Sequence, residues 1–150
     1  MLKHELSEHC LCGDLMYELN KQLEKKDLKK YYADIEFNRD EGNVKRISYI
    51  TDDGVCLKCI FTDIIVHSRG EVILDNLIAL EMKKSSASHK EIDDDKARLK
   101  QLTKRNTNTS FCNYGYILGI YHEINLDKEE IKIEFFYNGN REEQLFKCRY

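Results

Sequence analysis

An α/β domain is the fold class this sequence predicts, and three observations carry it. A leucine-striped amphipathic segment opens the chain, a second helical segment lies near residue 100, and short apolar, β-branched runs fill the space between and after them. The order helix, strands, helix, strands describes helices layered on a central mixed sheet. At 150 residues the length predicts one domain spanning 1–150, long enough to bury a core without metal or disulfide staples.

Residues 5–26 carry Leu11, Leu15, Leu19 and Leu23 at a spacing of four, with Cys12 and Met16 beside them, which predicts a helix with one buried stripe. The Lys/Glu-rich run from Lys21 to Lys30 is its solvated end. From Tyr31 to Arg39 the chain alternates: Tyr31, Ala33, Ile35 and Phe37 face one way, the polar residues the other, as in a half-buried strand. Val44 to Ile50 reads as a second strand or a loop. After Asp52-Asp53-Gly54, a turn signal, Val55 to His67 reads as one apolar strand, followed by a polar loop at Ser68-Arg69-Gly70.

Residues 76–84 are apolar on both faces for five positions, the pattern of a central strand covered on both sides. Ile92 to Arg105 reads as a helix with Ala97 and Leu99 to Leu102 inward. Tyr114 to Ile124 and Ile131 to Tyr137 close the fold as two strands, joined by a hairpin across Asn125 to Glu130. With no proline in the chain, turns fall to Gly, Asn and Asp, Asn138-Gly139-Asn140 among them.

Hydrophobic residues make up 41% and charged residues 34%, which excludes a disordered tail. No stretch approaches the ~20 consecutive apolar residues of a membrane-spanning helix. The opening Met1-Leu2-Lys3-His4-Glu5 lacks a signal-peptide core, so the expected location is cytoplasmic and the six cysteines are expected as reduced thiols. Basic residues number 24 and acidic residues 27, a formal charge of −3. A globally basic coat for nucleic acid is thus excluded, and a polyanion must be met by a local patch.

The candidate chemistry starts from charges out of place. Glu81 and Lys83 end a strand that otherwise reads as buried, and two residues apart they share one face at ~6–7 Å. Burying ionised groups costs several kcal/mol unless they pair or bind a metal; a strand that simply ends there, with both side chains in water, explains them equally. Asp63 tips that balance, because it interrupts the apolar run Cys59 to Val66, where a carboxylate has no packing role. Two carboxylates and an ammonium at one point describe a hard-cation site beside a phosphate. Mg²⁺ keeps several waters and is usually held by one or two carboxylates plus substrate phosphates. The lysine then orients or helps deprotonate the attacking water. Glu8 precedes Leu11, Cys12 and Leu15 by three, four and seven residues and so extends the buried stripe of the first helix, unless that turn frays into solvent.

Asp63-Ile64-Ile65-Val66-His67, then a loop, then Leu80-Glu81-Met82-Lys83-Lys84 resembles the signature of the PD-(D/E)xK nuclease superfamily. That group holds many restriction enzymes, Holliday-junction resolvases and repair nucleases, and the acidic first helix, the Glu36-Phe37-Asn38-Arg39 strand and the lysine-bearing second helix resemble its uncharacterised bacterial members. The resemblance, from about Glu5 to Tyr137, implies a restriction-endonuclease-like core of αβββαβ order and Mg²⁺- or Mn²⁺-dependent hydrolysis of phosphodiester bonds in DNA. It implies Asp63, Glu81 and Glu8 as metal ligands and catalytic acids, with Lys83 at the attacking water. Thr62 stands where the family often has proline, which is not a ligand. The superfamily also contains inactive binding or scaffold modules and leaves RNA and a homodimer open.

Lys96, Lys100 and Lys104 recur every four residues, and Lys83 to Arg105 holds eight basic residues against four acids. With Lys84, this row is the expected nucleic-acid contact, although a lysine row on a helix is more often only solvated. The rival is a zinc-thiolate structural protein using Cys10, Cys12, Cys56 and Cys59. Its geometry is poor: a spacing of two on a helix diverges by about 200°, and three on a strand points to opposite faces. His67 shares the parity of Asp63 and is either near the site or a rim residue, and Glu36 with Arg39 could form an ion pair on an exposed strand face.

Overall fold

The structure is a computed structural model. It describes the backbone of residues 7–37, 39–40, 43–44, 46–51, 54–59, 62–105 and 114–149, and the side chains of these except for residues 36–61. The elements in chain order are α1 (Glu8–Lys25), β1 (Tyr32–Phe37), β2 (Arg39–Asp40), β3 (Asn43–Val44), β4 (Arg46–Thr51), β5 (Gly54–Cys59), β6 (Thr62–His67), β7 (Asn76–Lys84), α2 (His89–Thr103), β8 (Leu118–Asn125), β9 (Glu130–Tyr137) and β10 (Asn140–Arg149).

Six strands form one mixed sheet in the order β1-β6-β7-β8-β9-β10. The β7–β8 pair is parallel and every other neighbour in this sheet is antiparallel. The parallel pair needs a crossover, and α2 supplies it. β2 with β3 and β4 with β5 make two small hairpins outside the main sheet. The run read as one strand from Val55 to His67 is therefore two strands in different sheets.

Strand alternation sorts the core into two layers. Ile64, Val66, Leu80 and Met82 face α1 and pack with Cys12, Leu11, Leu15 and Leu19. Ile65, Ala79, Tyr121 and Phe136 face the other way and pack with Leu99 and Leu102 of α2. Gly119 seats α2 closely: a Cβ there would meet Phe136 Cβ and Thr103 Cγ2 at 3.0 Å.

Each helix starts at a serine cap. The Ser7 hydroxyl accepts from Cys10 N–H, and Ser88 forms a capping box with Glu91, which starts α2 three residues before the expected Ile92. Buried Asp95, Leu99, Leu102 and Thr103 define the inner face of α2. Ala97, expected inward, is on the exposed side, about 170° from the centre of that face by the ~100° step per residue.

The Asn138-Gly139 turn has φ of +48° and +79°, the left-handed pair that a two-residue hairpin of matching twist requires. It leads into β10, a strand the sequence reading missed because Asn140 to Gln144 is wholly polar. Residues 114–117, expected as strand, precede β8 as irregular chain. No helix among the described residues is long and apolar enough to cross a membrane.

Candidate active site

The site sits where two strands part. β6 and β7 pair from His67↔Asn76 to Ile64↔Leu80 and no further, while β7 stays paired with β8 to Lys84↔Ile124. Beyond the fork, the Met82 N–H has lost its β6 partner. The Asp63 carboxylate replaces it, accepting that N–H at 2.8 Å. A buried strand can hold Asp63 because this bond satisfies one oxygen and leaves the other in the fork.

Glu81 and Lys83 share the α2 face with Asp63. Glu81 is 1% exposed, and its carboxylate accepts from Arg98 Nη1 at 2.7 Å. The Lys83 ammonium lies 3.3 Å from Glu8 Oε2 and 3.3 Å from Asp95 Oδ2, and Asp95 Oδ1 lies 3.3 Å from Arg98 Nη2. The result is an alternating chain of charge, Glu8–Lys83–Asp95–Arg98–Glu81, wrapped around the fork. Glu8 enters from α1 and also accepts the Lys84 N–H at 3.2 Å.

Burial and the nearby Asp63 charge raise the Glu81 carboxyl well above the usual range, against the pull of Arg98. Burial likewise raises Asp95 despite Lys83 and Arg98. For Lys83, burial favours the neutral amine, but Asp95, Glu8 and Asp63 outweigh it, and its pKa stands above the ordinary lysine value. Its two carboxylate partners thus favour the ammonium form of Lys83 in the metal-free protein. Burial and the charges of Asp63, Glu8 and Glu81 push the Cys12 thiol up to about 12.

The four expected catalytic residues stand around the β6–β7 fork, where Glu8 and Glu81 are each engaged by a cation of the chain itself. Glu8 is committed to Lys83 and the Lys84 N–H. Among the described residues no three His, Cys, Asp or Glu side chains converge as a closed metal site. Asp63 and Glu81 remain as an oxygen-donor pair whose mutual repulsion a cation would relieve, and two carboxylates fit Mg²⁺ completed by water and phosphate. A cavity of about 270 Å³, lined by Glu8, His9, Cys12, Ile35 and Asp63, opens beside Asp63.

Sequence reading missed Asp95 and Arg98, the residues of α2 that grip Lys83 and Glu81. Their signal was available: Asp95 falls four before Leu99 and seven before Leu102, on the stripe that must be buried.

The lysine row splits. A repeat of four drifts about 40° per step around a helix. Lys96 borders the buried face, with its ammonium 2.9 Å from Glu134 and 4.7 Å from the Tyr121 ring centre. Lys100 is exposed, Lys104 lies along Gly139 in the β9–β10 turn, and Lys84 is half-buried. His67 does not approach the fork; its Nε2 is 2.8 Å from Asp34, which Arg69 also clamps at 2.7 and 3.0 Å.

For the zinc reading, Cys10 is exposed and Cys12 buried, so they diverge as helix geometry requires. The side chains of Cys56, Cys59, Glu36 and Arg39 lie outside the described residues. Comparison with protein-family models, with curated proteins and with solved structures returns no match to this chain.

Proposed function

We propose that this chain is a metal-dependent nuclease of restriction-endonuclease-like fold that hydrolyses phosphodiester bonds in DNA. The observation that carries this reading is the meeting of Asp63, Glu81 and Lys83 at the β6–β7 fork, on strands and helices in the order α1, β1, β6, β7, α2, β8. Asp63 and Glu81 would hold Mg²⁺ or Mn²⁺. When bound, the ion would polarise a phosphate oxygen and lower the pKa of a bound water.

The chain's own residues do the rest. Lys83, kept as an ammonium, orients the attacking water and steadies the negative charge that develops on phosphorus oxygens. The water's proton would pass to solvent, and the departing alkoxide would take one up from solvent. Glu8 and Asp95 hold Lys83 from two sides, and Arg98 neutralises Glu81 before a cation arrives. Lys84 and Lys100 are the cations best placed to meet the flanking backbone, and Lys96 and Lys104 support the surface from its rim. Free thiols at Cys10, Cys12 and Cys148 suit a reducing cytoplasm.

One observation favours a second reading. Glu81 and Lys83 are already ion-paired within the protein, as in a nuclease fold that binds without turnover. Incubation with linear, circular and branched DNA in Mg²⁺ or Mn²⁺ separates the two. Cleavage lost in Lys83→Ala but kept in Lys21→Ala, an exposed lysine of α1, supports the nuclease; metal-independent or Lys83-independent cleavage overturns it, and binding without cleavage supports the second reading.

A further inference from the structure

The two carboxylates at the fork are not equally open. The cavity there is lined by Asp63 and not by Glu81, and Glu81 is 1% exposed. Arg98, bonded to Glu81, keeps 18% of its own side chain in solvent. The guanidinium thus lies between this carboxylate and water on the α2 side.

Arg98 is held at both tips of its guanidinium. Nη1 donates to Glu81 Oε1 at 2.7 Å, and Nη2 lies 3.3 Å from Asp95 Oδ1. The two contacts differ in kind. Glu81 belongs to β7, across the helix–sheet boundary, whereas Asp95 sits one turn before Arg98 on the same helix. Arg98 can therefore release Glu81 and stay on Asp95, a rotation of one side chain with no shift of α2. A divalent ion drawn to Asp63 and Glu81 needs the carboxylate that Arg98 occupies. Two cations on one buried carboxylate repel each other more strongly than they would in water.

We infer that Arg98 is the resident counter-cation of Glu81, a latch that a divalent ion displaces to reach this carboxylate and that returns when the ion leaves. The inference rests on the reading of Asp63 and Glu81 as a cation pair. It makes Arg98 a competitor of the metal, not a support for it, and the two roles predict opposite signs.

Calorimetric titration of the metal-free protein with Mn²⁺ reads the sign, counting only the binding that Asp63→Asn abolishes. Arg98→Met removes the competitor and should bind Mn²⁺ at least about tenfold more tightly than wild type, the size of one hydrogen bond to a charged group. A supporting arginine would give weaker binding instead. Arg98→Lys keeps the charge with a single point of contact and should fall between. Because Arg98→Met strands a buried carboxylate and can unfold, a second measurement uses wild type. The Nε–H resonance of Arg98, assigned by its loss in Arg98→Lys, should shift as the protein is saturated with diamagnetic Mg²⁺. An Arg98 resonance unmoved by bound Mg²⁺ overturns the inference alone, as does a folded Arg98→Met that binds Mn²⁺ no more tightly than wild type. Binding by Arg98→Met but not by wild type supports it. Binding by neither removes the cation pair, and the latch with it.

Discussion

Asp63 and Met82 are joined by a 2.8 Å hydrogen bond from the Met82 N–H to the Asp63 carboxylate, where β6 and β7 cease to pair. A side chain stands in for a strand. The substitution keeps the fork open and sets one carboxylate against Glu81, so the backbone requirement and the electrostatics of the site are met by the same residue.

Asp63→Asn separates those two roles. The amide oxygen can still accept the Met82 N–H, while the charge that raises the Glu81 carboxyl is gone. The metal-free variant should melt about 2–4 °C above wild type, the equivalent of about 1 kcal/mol in a chain of this size. Wild type should gain about 2.7 kcal/mol from Mn²⁺ at a hundred times its dissociation constant, and the variant should gain none. Calorimetry with and without cation reads both effects. A Mn²⁺ shift of wild-type size in Asp63→Asn would remove Asp63 from the cation site.

Asp95 positions Lys83 and does not touch the fork itself. Asp95→Asn deletes two ion pairs at 3.3 Å, but it also relieves the burial that raises the Asp95 carboxyl. The two effects offset, and stability should move by less than about 1 kcal/mol. Cleavage should suffer more: kcat falls by roughly tenfold with little change in KM, because Lys83 is held from Glu8 alone. Asp95→Glu should recover most of the rate. Equal kcat in Asp95→Asn and wild type would make the pair purely structural.

The residues legible in the sequence were those that broke a pattern. Asp63 interrupts an apolar strand, and Glu81 and Lys83 end one, so each stood out against its neighbours. Asp95 and Arg98 lie in a helix crowded with charge, where only the place of Asp95 on the leucine stripe marks it as buried and nothing local marks Arg98 as the partner of Glu81. The ion pair of Lys96 was hidden for the complementary reason: its partner Glu134 is far off in sequence, and a row of lysines looks alike whether or not one of them is paired. Long-range pairing also decided the strands. Nothing between Cys59 and Thr62 announces a break, because neither glycine nor proline is there. β10 is a strand by virtue of the Asn138-Gly139 turn and its register on β9, since its own residues are mostly polar.

Asn20 gives a direct test of how α1 is tied to β1 at Ala33. It satisfies both the N–H and the carbonyl of buried Ala33. Asn20→Ala leaves both groups without that partner, at a cost of about 2 kcal/mol, or roughly 4–8 °C in melting temperature. Asn20→Asp keeps the acceptor but loses the donor, and should fall between the two. A melting temperature unchanged in Asn20→Ala would mean that water replaces the side chain without loss.

His122 should make stability depend on pH. Among the described residues its Nδ1 is buried without a hydrogen-bond partner, and burial lowers the ring's pKa below the usual histidine value of 6.5. Above pH 6.5 the ring is neutral in both folded and unfolded chains and contributes no slope. As pH falls through 6.5 the unfolded chain takes up a proton that the folded chain refuses, so stability drops. The drop ends once pH passes below the folded value, where both states are protonated. Glu81 slopes the opposite way: its folded pKa is raised, so it costs stability as pH climbs above the ordinary carboxyl range of 4.5. Wild-type curves therefore mix the two, and the informative quantity is a difference. Urea unfolding of wild type and His122→Gln at pH 5 and pH 7.5 isolates it. The variant should lose less stability than wild type on going to the lower pH, and equal losses in both proteins would show that the buried ring takes up its proton without penalty.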